Sequence, residues 1–274
     1  MKKVVDSNFL QSEALRAYLL KSPTHHVVLT DYAFMEAYKA DTLFILYGSM
    51  EILSQYPKQV IVLKGTLIVG GLSGRSAQLQ KRLIDVRGTR GFPDYCKELL
   101  AAQRGNQELQ AHLLYKAHAA RDQMDRIAVN AEEFRPVLEA ITDLFTDEEQ
   151  KILRTGSPYT AKMGEKMISH ICLMAAFLLK KHPRGVKMPN AREVRNTFIF
   201  RLALCMHLLA HRWISVGGVG STKVAKIRND FVDVSFAAYA TYFDGILTDD
   251  KKLKEIYAKA VFLLDNVCRP TAGQ

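Results

Sequence analysis

The sequence predicts an α/β protein: a three-layer core built on a mainly parallel sheet, interrupted by an inserted all-helical lobe. Three observations predict it. Short continuous apolar runs alternate with helical periodicities over residues 1–65. From about Phe92 to Trp213 there are helix signals and no convincing strand. After residue 225 the alternation returns. Continuous apolar runs separated by helices are the pattern of parallel strands covered on both faces. The expected division is therefore a discontinuous core of residues 1–75 and 225–274 around a helical insertion of residues 90–215.

Taken in order, KKVV reads as a strand of residues 2 to 5 that ends in Asp6. A helix over about Ser12 to Lys21 follows, then a second strand in HHVVLTD, with Asp31 placed to cap the next helix. That helix carries Phe34, Met35 and Glu36. Another runs from about Asp41 to Gln55, with Leu43, Leu46, Tyr47 and Met50 at i, i+3, i+4, i+7, and QVIVLK is the third strand. In the middle, Thr146 with Glu149 makes a capping-box pattern and Asn190 with Glu193 resembles one. KMISHICLMAAFLLKK and TFIFRLALCMHLLAHRW are long, apolar and helical in spacing. At the end, Asp233 opens a helix to Tyr242, GILT is a short strand, DDKKLKEIYAKA is a helix, and VFLL from Val261 is a last strand.

Apolar residues make up 48% and charged residues 24% of the chain, as in an ordinary globular protein. No apolar run reaches the ~18 residues of a membrane span. The longest, Phe198 to Ile214, is broken by Arg201, His207, His211 and Arg212. Asp6 follows the two N-terminal lysines too closely for a signal peptide. Cys96, Cys172, Cys205 and Cys268 show neither CxxC nor zinc-finger spacing, so reduced thiols and a cytoplasmic setting are expected. The net charge of +10 favours a polyanionic partner.

Four acids stand out by position. Asp6 ends the first strand, Glu36 lies on the helix after the second, Asp233 opens a C-terminal helix, and Asp250 follows GILT. In parallel sheets, sites form beyond the carboxyl ends of the strands. A carboxylate cluster suits Mg²⁺ or Mn²⁺, which prefer oxygen ligands. Such an ion activates water and stabilises charge on a scissile phosphate. Acids grouped this closely repel one another without a cation. Asp31, Asp244 and Asp249 read instead as caps or surface acids.

These residues are similar to the motifs of the PIN-domain nucleases, a family that includes the toxin ribonucleases of toxin–antitoxin modules. VVDSNFL resembles the family's first motif, with Asp6 at its acid. TDYAFMEAYKA resembles the second, with Glu36. DVSFAAYA resembles the helix that begins with the third acid, Asp233, with Asp230 the alternative. ILTDDKKL resembles the strand followed by Thr248 and Asp250. The resemblance covers about residues 1–70 and 225–270. It implies a PIN-like core and a Mg²⁺- or Mn²⁺-dependent endonuclease, with RNA the expected substrate. Asp6, Glu36, Asp233 and Asp250 would hold the metal, supported by Ser7, Asn8, Thr248 and Asp230. In-line attack by water would leave a 3′-hydroxyl and a 5′-phosphate. About 150 mostly helical residues stand where small PIN proteins pass directly to the third acid, a departure that touches substrate and regulation.

The basic stretch from Val186 to Arg228 leads into Asp233, and Lys223, Lys226 and Arg228 are the candidate phosphate contacts. SVGGVGSTK lacks the G-x-x-x-x-G-K-[ST] order, because Lys223 follows Ser221 and Thr222, and reads as a hinge. Arg201 and His207 fit the loose Arg-x₅-His pattern of the metal-independent HEPN ribonucleases. Two alternatives thus stand beside the nuclease: an inactive PIN-like module that binds RNA or protein, and a HEPN-type enzyme using Arg201 and His207. Expected partners are nucleic acid, RNA first, an inhibitor or antitoxin-like protein, and a second copy of the chain, with no membrane. A toxin or phage-defence role fits the resemblance.

Overall fold

A computed structural model of the chain describes residues 1–38, 43–133, 135–216 and 224–266. It is a mixed α/β structure that divides into two compact units. The first, here the sheet unit, comprises Met1–Val69, Gln80–Ile127 and Tyr242–Lys251. The second, the helical unit, comprises Gly70–Leu79, Ala128–Thr241 and Lys252–Gln274.

The sheet unit holds β1 (Lys2–Val5), α1 (Glu13–Leu20), β2 (His26–Leu29), α2 (Asp31–Tyr38), α3 (Leu43–Gln55) and β3 (Val60–Val62). Three helices, α4 (Thr66–Gly70), α5 (Leu79–Leu83) and α6 (Val86–Gln103), come next, with most of α7 (Gln107–Glu133) and then β4 (Ile246–Leu247). The four strands form one parallel sheet in the order β3-β2-β1-β4. Val4 pairs with both Val28 and Ile246, so β1 is central. Val4, Val5, Val27, Val28 and Leu29 are fully buried, as the uninterrupted apolar runs require. Gly245 enters β4 with φ +143°, a conformation that L side chains rarely adopt, while its carbonyl accepts from Val4 N–H.

Ser12 caps α1 by accepting from Ala14 N–H. Thr30, not Asp31, caps α2: its Oγ1 accepts from Ala33 N–H at 3.2 Å. The Asp31 carboxyl turns instead to Thr66, whose amide and hydroxyl donate to it at 2.6 and 2.7 Å. Asp244 Oδ2 accepts from Lys2 N–H at 2.6 Å. Gln59 Nε2 reaches three carbonyls, those of Leu19, Ser22 and His25, and pins the α1–β2 connection.

The helical unit contains α8 (Arg135–Asp143), α9 (Asp147–Thr155), α10 (Ala161–Lys180), α11 (Phe198–Ser215), α12 (Val224–Ala240) and nearly all of α13 (Lys251–Asn266). The Thr146–Glu149 capping box is present with both hydrogen bonds. Its Asn190 counterpart accepts from Glu193 N–H, but it opens only a 3-10 turn over Val194–Asn196, and α11 starts afterwards at Phe198 with its own cap, Thr197. Almost every residue of α11 is buried, because α8, α9, α10 and α12 pack around it. A helix that is apolar all round is a core helix, which accounts for this run. Among the described residues no helix is long and apolar enough to cross a membrane.

Two further sequence expectations need correction. Asp233 does not open a helix: it lies inside α12, which begins at Val224. VFLL is not a strand, since α13 continues through it to Asn266 and leaves Phe262 exposed. Helix α6 and most of α7 group with the sheet, whereas α12 and nearly all of α13 group with the helices.

Candidate functional site

The order β3-β2-β1-β4 places the reversal of winding between β1 and β4. From β1 the chain proceeds to β2 and β3 on one side, and β4 joins on the other. Beyond the carboxyl ends of such a strand pair the following loops part, which is where doubly wound sheets bind ligands. Asp6 follows β1 and Thr248 follows β4, so the first predicted acid sits at this switch point.

Asp6 is 2% exposed and extended, with ψ 144° as the chain turns into the 3-10 helix Ser7–Phe9. Thr248 Oγ1 donates to its Oδ2 at 2.7 Å. Ser7 Oγ lies 3.4 Å from its Oδ1 and also donates to Glu36 Oε2. Asp6 stands at the N-cap of this turn without a side-chain cap hydrogen bond. The Asn8 backbone amide favours the charged form of its carboxylate, whereas the Asn8 side chain is exposed. Burial raises the Asp6 pKa, the Thr248 hydrogen bond opposes that, and the nearby Glu36 charge raises it further. Asp250 joins through its backbone: its N–H donates to Thr248 Oγ1 at 3.1 Å, just ahead of α13. Asp6, Ser7, Glu36, Thr248 and Asp250 are therefore linked within the sheet unit, and Asn8 contributes through its main chain.

The other two acids belong to the helical unit. Asp230 and Asp233 stand three residues apart on α12, hence on one face. Lys252 from the first turn of α13 binds both: it pairs with Asp230 and donates to Asp233 Oδ2 at 2.7 Å. Asp230 is 3% exposed, and its Oδ2 has no hydrogen-bond partner. Burial of Lys252 opposes its charge, but the Asp233 and Asp230 carboxylates outweigh that and raise its pKa. The sequence reading missed Lys252. Its only sequence signal is a position in the first turn of the helix after Asp250.

Among the described residues no group of three or more histidines, cysteines, aspartates or glutamates is arranged to hold a metal ion. The donors that do meet are two hard carboxylates, Asp6 and Glu36, with a serine hydroxyl between them. That set fits Mg²⁺ or Mn²⁺ held through two carboxylates, the ion keeping water and phosphate oxygens in its remaining positions. The desolvated Asp6, pushed up by Glu36, is the kind of group whose charge a cation would stabilise.

Of the basic candidates, Lys226 is exposed, and Arg228 donates to Asn229 Oδ1 at 3.1 and 3.2 Å. Lys223 and most of the glycine-rich loop, residues 217–223, lie outside the described residues.

Arg201 and His207 are both buried. Arg201 Nη1 donates to the carbonyl and hydroxyl of Thr241 at 2.7 and 3.0 Å, satisfying the end of α12. His207 is fully buried among Phe145, His170 and His211. Its Nε2 and that of His211 lack hydrogen-bond partners. His207 and His211 are four residues apart on α11, a spacing from which the cluster could have been anticipated.

Comparison with protein-family models, with curated proteins and with solved structures finds no match for this chain.

Proposed function

We infer that the chain is a PIN-like, Mg²⁺- or Mn²⁺-dependent endonuclease acting on RNA, with Asp6 and Glu36 as its primary metal-binding carboxylates. The observation that carries the reading is the linked set Asp6, Ser7, Glu36 and Thr248 at the switch point of a parallel sheet. A basic chain with such a set suits a polyanionic substrate. When bound, the ion would lower the pKa of a coordinated water and offset charge on the phosphate.

The chain's own residues supply position. Thr248 fixes the Asp6 carboxylate by donating to one oxygen, and Ser7 orients Glu36. The Asn8 amide favours the charged carboxylate, an effect that a side-chain substitution leaves in place. Asp250 holds Thr248 in turn through its main chain. Asp230, Asp233 and Lys252 form a separate ionic group in this reading, and Lys226 and Arg228 are phosphate contacts.

The test is cleavage of labelled single-stranded RNA, transfer RNA and single- and double-stranded DNA, with Mn²⁺ or with EDTA. Wild type is compared with Asp6→Asn. The expected result is metal-dependent RNA cleavage that falls by on the order of 100-fold or more in the variant, several kcal/mol of lost transition-state stabilisation. Equal cleavage by both proteins, or cleavage in EDTA, overturns the metal assignment. If the wild type cuts nothing and calorimetry detects no Mn²⁺ binding, the chain is a binding module.

A further inference from the structure

Within the sheet unit, α2, α6 and α7 border an open groove of about 580 Å³ beside the carboxyl ends of β2 and β3. Its floor is aromatic. Phe34, Phe92 and Tyr95 pack with ring centroids 5.7 to 6.3 Å apart, and the Tyr95 and Tyr38 hydroxyls are 2.9 Å apart. Lys116 Nζ stands 6.0 Å over the Tyr95 ring. Tyr115, at the rim, is 73% exposed.

Helix α6 turns Gly88, Gly91, Phe92 and Tyr95 toward this groove, the i, i+3, i+4, i+7 positions of one face. A glycine inside a helix costs about 1 kcal/mol relative to alanine. Packing explains Gly88, where an added Cβ would come within 3.1 Å of Asp85 Oδ2 and 3.3 Å of Val62 Cγ1. Packing does not explain Gly91, where an added Cβ would meet nothing within 4 Å. Its missing side chain instead leaves an unobstructed approach to the aromatic floor. Arg87, exposed and four residues before Gly91, borders this face of α6. The acids nearby are engaged. Asp31 accepts from Thr66 and Tyr32, and Asp94 pairs with Lys97 at 2.7 Å.

We propose that this groove binds a base of single-stranded RNA, stacked on Tyr115, with the flanking phosphates on Lys116 and Arg87. The RNA identity rests on the nuclease reading above. Stacking on exposed aromatics beside cations is how single strands are held without sequence readout, since every base has a π-face. Arginine and lysine neutralise the backbone that comes with it. The groove shares α2 with Glu36 and opens at the same edge of the sheet as Asp6, so a strand seated here is presented to the carboxylate pair.

The test uses the full-length protein in EDTA, with fluorescence anisotropy of a labelled ten-nucleotide RNA and of an abasic ribose-phosphate oligomer of equal length. Wild type should bind the base-bearing RNA about 10-fold more tightly, the effect of one stacked base. Tyr115→Ala should abolish that preference. Gly91→Ala should weaken RNA binding by a similar factor while the thermal midpoint holds or rises. Equal affinity for both oligomers, no binding of either, or full preference in Tyr115→Ala overturns the proposal. Because metal is absent, the two readings fail separately. Cleavage lost in Asp6→Asn with no base preference removes only the groove, and base preference without cleavage removes only the nuclease.

Discussion

The two units handle buried carboxylates in opposite ways. In the sheet unit, Asp6 is met by neutral donors, the Thr248 and Ser7 hydroxyls. In the helical unit, Asp230 and Asp233 are met by the Lys252 ammonium. Neutral donors orient an anion and leave its charge in place, and burial then raises the Asp6 pKa. One ammonium offsets part of the charge of the two acids and ties two helices of the unit together, which is a structural use. The same residue type is thus held by neutral donors in one setting and by a shared cation in the other. The partners decide, not the motif.

The largest effect expected from breaking this contrast is at Lys252. Lys252→Met leaves Asp230 and Asp233 without their ammonium and should destabilise the helical unit by about 3 kcal/mol, as removal of one partner from a buried pair does. Urea unfolding at pH 7.5 measures it, and Asp230→Asn in the same chain should restore part of the loss. An unchanged unfolding midpoint would show that the pair contributes no stability.

Acid comes next. Burial pushes the pKa values of His170, His207 and His211 down, His211 to about 4, with the neighbouring His170 and His211 adding to it at His207 and Lys259 at His211. The unfolded chain, with histidines near 6.5, binds their protons first. The stability that the buried His207 and His211 contribute is therefore constant above pH ~6.5 and falls as pH drops toward 4, by up to about 1.4 kcal/mol per pH unit for each, with a smaller contribution from the less buried His170. Helical-unit unfolding followed by Trp213 fluorescence between pH 7.5 and 5 tests this, and a flat profile contradicts it. His211→Phe should shallow the slope.

Smaller still, Gln59→Ala removes one amide from three carbonyls and should cost the sheet unit about 1–2 kcal/mol by urea unfolding. The smallest pair of changes concerns Asn8. Asn8→Ala should alter Mn²⁺ affinity less than about 2-fold, because the backbone N–H and not the side chain acts on the Asp6 carboxylate, whereas Asn8→Pro removes that N–H and should weaken it several-fold. Isothermal titration with Mn²⁺ separates the two, and equal affinities would deny the amide a role.

The strands of the sheet were legible because parallel strands buried on both faces have no polar alternation to confuse them. KKVV, HVVL and VIV each stand bounded by turn or cap residues. The Thr146 box was legible because its chemistry is local. VFLL misled for a general reason: a four-residue apolar run fits a strand or a buried helical segment equally, and no breaker separates it from Leu253, Ile256 and Ala260. Asp233 misled because a motif was aligned by its acid, while the helix had already begun at Val224. Within the site, the Asp6–Thr248 bond spans most of the chain, yet Asp6 stood out by its place after a strand and Thr248 by the resemblance of ILTDDKKL to a family motif. Lys252 was not. An ammonium at a helix start is ordinarily solvated, and only the folding of α12 against α13 supplies its two acids.

Strand β1 lies between one neighbour close in sequence and another more than 240 residues away, with Val4 in register with both Val28 and Ile246. During synthesis β1 and β2 can pair early, but the far edge of β1 stays open until residue 247 has left the ribosome. An open, β-branched edge is a template for pairing with other chains. Closing so long a loop is also slow relative to local helix formation. Nascent chains stalled before β4 should therefore be the aggregation-prone species, and a chaperone that shields Lys2–Val5 would act at the point of greatest exposure.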